Sequence, residues 1–92
     1  PTTQTTYEMW VEKKSVQQIA EESKLSPSTI LGHFTKLIKE KTVAISEFLP
    51  QEKIDRLTIE FQNYNEDSVT PMKERLGDEF TWDELRMFRA SL

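Results

Sequence analysis

The stretch that decides the fold runs Ser15-Val16-Gln17-Gln18-Ile19-Ala20-Glu21-Glu22-Ser23-Lys24-Leu25-Ser26-Pro27-Ser28-Thr29-Ile30-Leu31-Gly32-His33-Phe34 and continues to Lys41. Ser15 with Gln18 has the spacing of a capping box, in which the hydroxyl takes a free N–H and the amide reaches back, so a helix starts at residue 16 and runs to about 23. Ser26-Pro27 places a hydroxyl cap before a proline whose missing N–H costs nothing at the first helical position, so a second helix runs from 27 to about 40. About three residues join them. Ala20 is small enough for two helices to cross closely, Ile19 packs beside it, and Leu25 plugs the turn. Ile30, Phe34, Leu37 and Ile38 form the buried stripe of the second helix. The segment from Ser15 to Lys41 is a helix-turn-helix. One departure stands out: Lys24 occupies the turn position where glycine is usual, and a lysine at positive φ costs about 1 kcal/mol, so the turn is expected to differ in detail.

Working outward, Thr5 with Glu8 predicts a first helix over 5–13, and Thr81 with Glu84 a last helix carrying Trp82, Leu85, Phe88 and Leu92. Pro50 opens a helix whose Ile54, Leu57, Phe61 and Tyr64 share a face, and Asn63 to Asp67 ends it. Pro71 to Leu76 reads as a short helix closed by Gly77 in the left-handed conformation. The run Thr42 to Ile45 leaves a strand fragment, and so a wing, open against an extended link. The expected fold is all-α: a helix-turn-helix, with or without that wing, followed by a small helical subdomain. Residues 1–92 are taken as one domain, with 1–45 as its helix-turn-helix half and 46–92 as its helical second half.

Apolar residues make up 36% of the chain and charged residues 30%, with five Phe, two Trp and two Tyr, enough to fill a core without metals or crosslinks. The absence of cysteine excludes disulfides and thiolate zinc sites. No apolar run approaches the roughly 18 residues of a membrane span, and Pro1 to Thr6 lacks the features of a signal peptide, so a soluble, cytoplasmic, nucleoid-associated protein is expected, with no membrane partner. A first residue of proline rather than methionine suggests a domain cut from a longer polypeptide. The net charge of −4 is unevenly spread: residues 1–49 carry six Lys and six Glu, and residues 50–92 carry six Lys or Arg against ten Asp or Glu.

Subtracting the buried stripe leaves Ser28, Leu31, Gly32, Thr35, Lys36 and Lys39 facing solvent. Small and short polar residues near a helix start let backbone approach base edges, and cations further along meet phosphate. The amides near Ser28 and Thr29 add the partial positive charge of a helix N-terminus. The expected DNA-contacting set is Ser28, Thr29, Gly32, Thr35, Lys36, Lys39 and Lys41. With no arginine on this helix, bidentate guanine readout is missing, and backbone binding of duplex or branched DNA is expected over sequence reading. His33, without a second histidine, reads as a hydrogen-bonded packing residue. Glu21-Glu22, Glu66-Asp67, Asp78-Glu79 and Asp83-Glu84 are accounted for by helix starts and solvated faces, with no catalytic pair. Trp10, Trp82, Phe80 and Phe88 are assigned to the core. No catalytic, metal or cofactor site is expected.

Thr6-Tyr7-Glu8-Met9-Trp10, Lys14 to Ala20, Leu25 to Phe34, Ile45, Phe48-Leu49, Glu52 to Phe61, Ser68 to Lys73, Leu76-Gly77 and Trp82 to Arg86 together resemble the helix-turn-helix domain at the C-terminus of bacterial RecQ-type DNA helicases. The resemblance implies an accessory domain behind an ATP-dependent motor of DNA repair and recombination. ATP and Mg would bind that motor, and the helicase core would be a partner in cis. The present chain lacks a phosphate-loop motif ending in Gly-Lys-Ser or Gly-Lys-Thr. Ile19-Ala20, Leu25-Ser26, Thr29-Ile30 and His33-Phe34 also look like the DNA-binding domain of LuxR-type regulators, which would end near residue 60. A protein-interaction module docking through its acidic second half is the third alternative.

Overall fold

A computed structural model describes residues 2–92; Pro1, the residue behind the reading of a cut polypeptide, lies outside them. Six α-helices follow one another: α1 (Thr3–Val11), α2 (Val16–Ser23), α3 (Pro27–Lys39), α4 (Gln51–Glu60), α5 (Thr70–Leu76) and α6 (Trp82–Ser91), with single 3-10 turns at Ile45–Glu47 and Gly77–Glu79. There is no strand among the described residues, so the wing is not formed. Val43 instead buries its side chain in the core, and the Thr42 and Val43 amides are satisfied by the Leu37 carbonyl, leaving no extended backbone for a partner strand.

The caps at Ser15, Ser26 and Thr81 form as expected, the first and last as complete capping boxes. The first helix differs. Its cap is Thr2, whose hydroxyl accepts the Thr5 amide at 3.2 Å, so Thr5 lies inside the helix and Glu8 receives the Gln4 amide group instead. A hydroxyl three residues earlier offers the same chemistry and wins the extra turn.

Helices α1, α2 and α3 all end the same way. Lys13, Lys24 and Lys41 take positive φ of 70°, 58° and 66°. The amide that follows each bonds back five residues, Lys14 to Met9, Leu25 to Ala20 and Thr42 to Leu37, which is the Schellman closure. The turn at Lys24 is therefore the ordinary left-handed one, with lysine bearing its steric cost rather than altering its shape. Gly77 has φ 60° but ψ −135°, outside the left-handed helical region expected of it and in a region open essentially to glycine alone.

Two apolar clusters hold the helices. Ile19, Ala20, Ile30, Phe34, Leu37, Ile38 and Val43 form the first, joined by the aromatic contacts of Trp10, Phe34 and Phe48 at centroid distances of 4.7 to 5.1 Å. Leu49, Leu57, Phe61, Val69, Met72, Phe80, Leu85 and Phe88 form the second. Helix α6 belongs to both, sending Met87 into the first and Leu85 and Phe88 into the second. That double burial lays α6 along α3. The start of α6 is fixed by Glu84, which closes the capping box with Thr81 and accepts the Lys53 ammonium at 2.6 Å. Burial pushes the Glu84 carboxyl up, but the Lys53 and Thr81 hydrogen bonds outweigh it and hold the group below the usual carboxylate range.

Trp82, assigned to the core by sequence, is 40% exposed, because it lies on a side of α6 that both clusters leave open. Leu92, expected on the last helix, lies just past its end and is 63% exposed. Trp10 is half-buried, its indole N–H donated to Glu47 at 3.0 Å, whereas Phe80 and Phe88 are buried as expected.

Candidate nucleic-acid interface

Helix α3 is the most enclosed of the six. Its Ile30, Phe34, Leu37 and Ile38 are buried, α1 and α2 pack on one flank, and α6 packs on the other. On the α1 flank, His33 Nδ1 shares a 2.7 Å hydrogen bond with the hydroxyl of the fully buried Thr6, which gives the lone histidine its packing role. On the α6 flank, Leu31 and Thr35 are half-buried rather than open to solvent, and the Thr35 hydroxyl donates to the Leu31 carbonyl at 2.9 Å within its own helix. At about 100° per residue, roughly a third of the circumference remains open between the flanks. It displays Ser28, Thr29, Gly32, Lys36, Lys39 and Glu40.

The seven residues expected to meet DNA thus fall into two groups. Gly32, Lys36 and Lys39 are open, and a Cβ added at Gly32 would meet nothing within 4 Å, so another backbone can approach there. Among the described residues neither Lys36 nor Lys39 has a carboxylate within ion-pair distance, unlike Lys14, Lys53, Arg56, Arg75 and Arg86. The remaining four are engaged by hydrogen bonds within the chain, although Ser28, Thr29 and Lys41 stay exposed. Ser28 donates to Asp83 of α6 at 3.5 Å, Ser26 takes up the Thr29 amide at 3.1 Å, Thr35 is turned to its own backbone, and Lys41 donates to the Ser91 carbonyl at 3.1 Å. A carboxylate beside Ser28 opposes a phosphate at the helix start, so the favourable end of α3 for a polyanion is its C-terminal half.

Sequence reasoning missed the contribution of α6. Trp82, Arg86 and Arg89 follow at steps of four and three, one stripe of the helix, and with Lys39 they line a groove of about 730 Å³ beside α3. The stripe was readable as the complement of Leu85 and Phe88, but its position next to α3 was not.

A three-helix unit with a short left-handed turn between α2 and α3, carrying a helical extension that lies along α3, defines a helix-turn-helix domain; DNA-binding members of that class place the second helix of the motif against the duplex. The chain belongs to a helix-turn-helix domain family, whose model matches residues 2–89 and so takes in the extension as well as the motif. No curated protein and no solved structure matches the chain. No helix among the described residues is long and apolar enough to cross a membrane.

Proposed function

We propose that this chain is an accessory DNA-binding domain of a RecQ-type, ATP-dependent DNA helicase, working as one unit over residues 1–92 and meeting the DNA backbone with the open arc of α3. The observation that carries the reading is the pair Lys36 and Lys39: both exposed, about one turn apart on the surface of α3 its neighbours leave uncovered, and among the described residues without a carboxylate at ion-pair distance. Two such cations displace counterions from phosphate without selecting a sequence, which suits a domain that must hold whatever duplex or branch its motor reaches. Gly32, one turn before Lys36 on the same arc, lets the DNA backbone come close, and Lys41, which donates to the Ser91 carbonyl, adds its charge beyond the end of the helix. The helicase origin rests on the sequence resemblance running from Thr6 to Arg86 alone, and the family match over residues 2–89 supports the helix-turn-helix domain. ATP and Mg chemistry belongs to the motor in this reading, and the cellular place is wherever that motor meets the chromosome.

The test is anisotropy titration of labelled duplex and forked DNA between 50 and 200 mM salt. Lys36→Ala with Lys39→Ala should weaken binding alike across unrelated sequences and lower the slope of log K against log salt by about 1.8, at about 0.9 per phosphate contact. An unchanged affinity and slope would refute the phosphate contact. Should the wild-type domain ignore DNA yet associate with a helicase core, the docking reading replaces this one.

A further inference from the structure

The groove between α3 and α6 shares Lys39 with the open arc of α3 and adds Trp82, Arg86 and Arg89, which lie off that arc. Lys39, Arg86 and Arg89 line it against the single carboxylate of Asp67, a local excess of positive charge in a chain whose net charge is −4. Trp82 stands in its wall, 40% exposed, although Phe80 and Leu85 on either side of it in sequence are buried in the second cluster. The exposed part of so large a ring leaves apolar area in water that neither cluster covers. The Arg86 guanidinium lies 5.4 Å from the centre of that ring, and its contact with Asp83 is long at 3.7 Å, so it can turn to another anion. Arg89 has a buried Nε without a hydrogen-bond partner among the described residues and donates from Nη2 to the Glu66 carbonyl at 3.3 Å. A groove of about 730 Å³ is the size that holds a small molecule or a nucleotide or two, too small for a duplex.

We propose that this groove takes a single DNA strand, one base stacked on Trp82 and the adjoining phosphates met by Arg86 and Lys39. An exposed ring flanked by cations is what strand binding without sequence preference requires, since every base has a face to stack and every linkage a charge to neutralise. Lys39 belongs to both the open arc of α3 and the groove, so the two surfaces are continuous. The domain then holds the duplex on α3 and the strand leaving it on α6, as at a fork. This rests on the DNA-binding reading above for the choice of partner, and its test separates the two.

The experiment measures binding of labelled oligothymidylate and of a blunt duplex to the wild-type chain, Trp82→Ala and Arg86→Ala, with thermal melts to confirm that each variant folds. Trp82→Ala is expected to weaken oligothymidylate binding about ten-fold while leaving duplex affinity within two-fold, since one stacked base is worth about that much. Arg86→Ala should weaken the strand by less and flatten its salt dependence. Oligothymidylate affinity unchanged in a folded Trp82→Ala would overturn the groove proposal while leaving the duplex reading intact. Equal loss for strand and duplex, or competition by poly-glutamate as effective as by oligothymidylate, would overturn it too, the latter showing that the groove reads charge alone. Duplex loss in the Lys36 and Lys39 variant with no change on Trp82→Ala assigns DNA to α3 only.

Discussion

Replacing Lys24 by glycine and by alanine gives opposite results if the turn between α2 and α3 has been read correctly. In a right-handed helix, glycine is less stable than alanine by about 1 kcal/mol, because it loses more backbone freedom on folding. Lys24 sits at φ 58°, ψ 38°, where any Cβ crowds the following carbonyl at a cost of about 1–2 kcal/mol and glycine has none to crowd. The side chain is exposed and makes no ion pair among the described residues, so little else is lost with it beyond a charge favourably placed at the C-terminus of α2, worth about 0.3–1 kcal/mol. Alanine forfeits that charge and keeps the crowding; glycine forfeits the charge and relieves it. Lys24→Gly should therefore exceed Lys24→Ala by about 1 kcal/mol, and stand level with or slightly above the parent. For a domain of this size that is a difference of about 4–8 °C in Tm between the two variants, read by calorimetry or circular dichroism melting. A glycine variant that melts below the alanine variant would refute the left-handed turn and, with it, the Schellman closure of α2.

Three further outcomes follow at two other positions. Gly32→Ala should raise stability by about 1 kcal/mol in chemical denaturation, since the position is helical and open, whereas Gly32→Leu should weaken DNA binding by holding the backbone off the phosphates. Glu84 has a folded-state pKa below its unfolded value, so its contribution is present above the unfolded carboxylate pKa and is lost as pH falls through the folded one. Glu84→Gln keeps the capping box but not the Lys53 ion pair, so its stability should fall less between pH 6 and pH 3 than the parent's; equal slopes would show that the pair contributes nothing to acid sensitivity.

The accuracy of the local reading has a physical origin. Ser15, Ser26 and Thr81 act on amides three residues away, so the side chain and its target are contiguous in sequence and no distant residue can override them. The same locality explains the Thr5 error, because Thr2 offered an equivalent hydroxyl and nothing in the sequence ranks the two. His33 was assigned a packing role by elimination, yet its partner, Thr6, lies 27 residues away and could not be named. Ser28 and Lys41 have side chains suited to DNA, and what engages them, Asp83 and the Ser91 carbonyl, lies 50 or more residues away and beyond local patterning, whereas Thr35 turns to the Leu31 carbonyl one turn back in its own helix.

The sequence by itself determined the helices, their caps and the buried stripe of α3, because each depends on spacing within a turn or two of one helix. Only the tertiary structure decided how much of the remaining surface of α3 faces solvent. Met87 enters the first cluster and Leu85 and Phe88 the second, and one helix can satisfy both only by lying along α3, where it covers Leu31 and Thr35 and brings Trp82, Arg86 and Arg89 beside Lys39. Burial of apolar area is non-directional and acts between residues distant in sequence, so it sets which polar surface survives, and no pattern read along one helix contains that information.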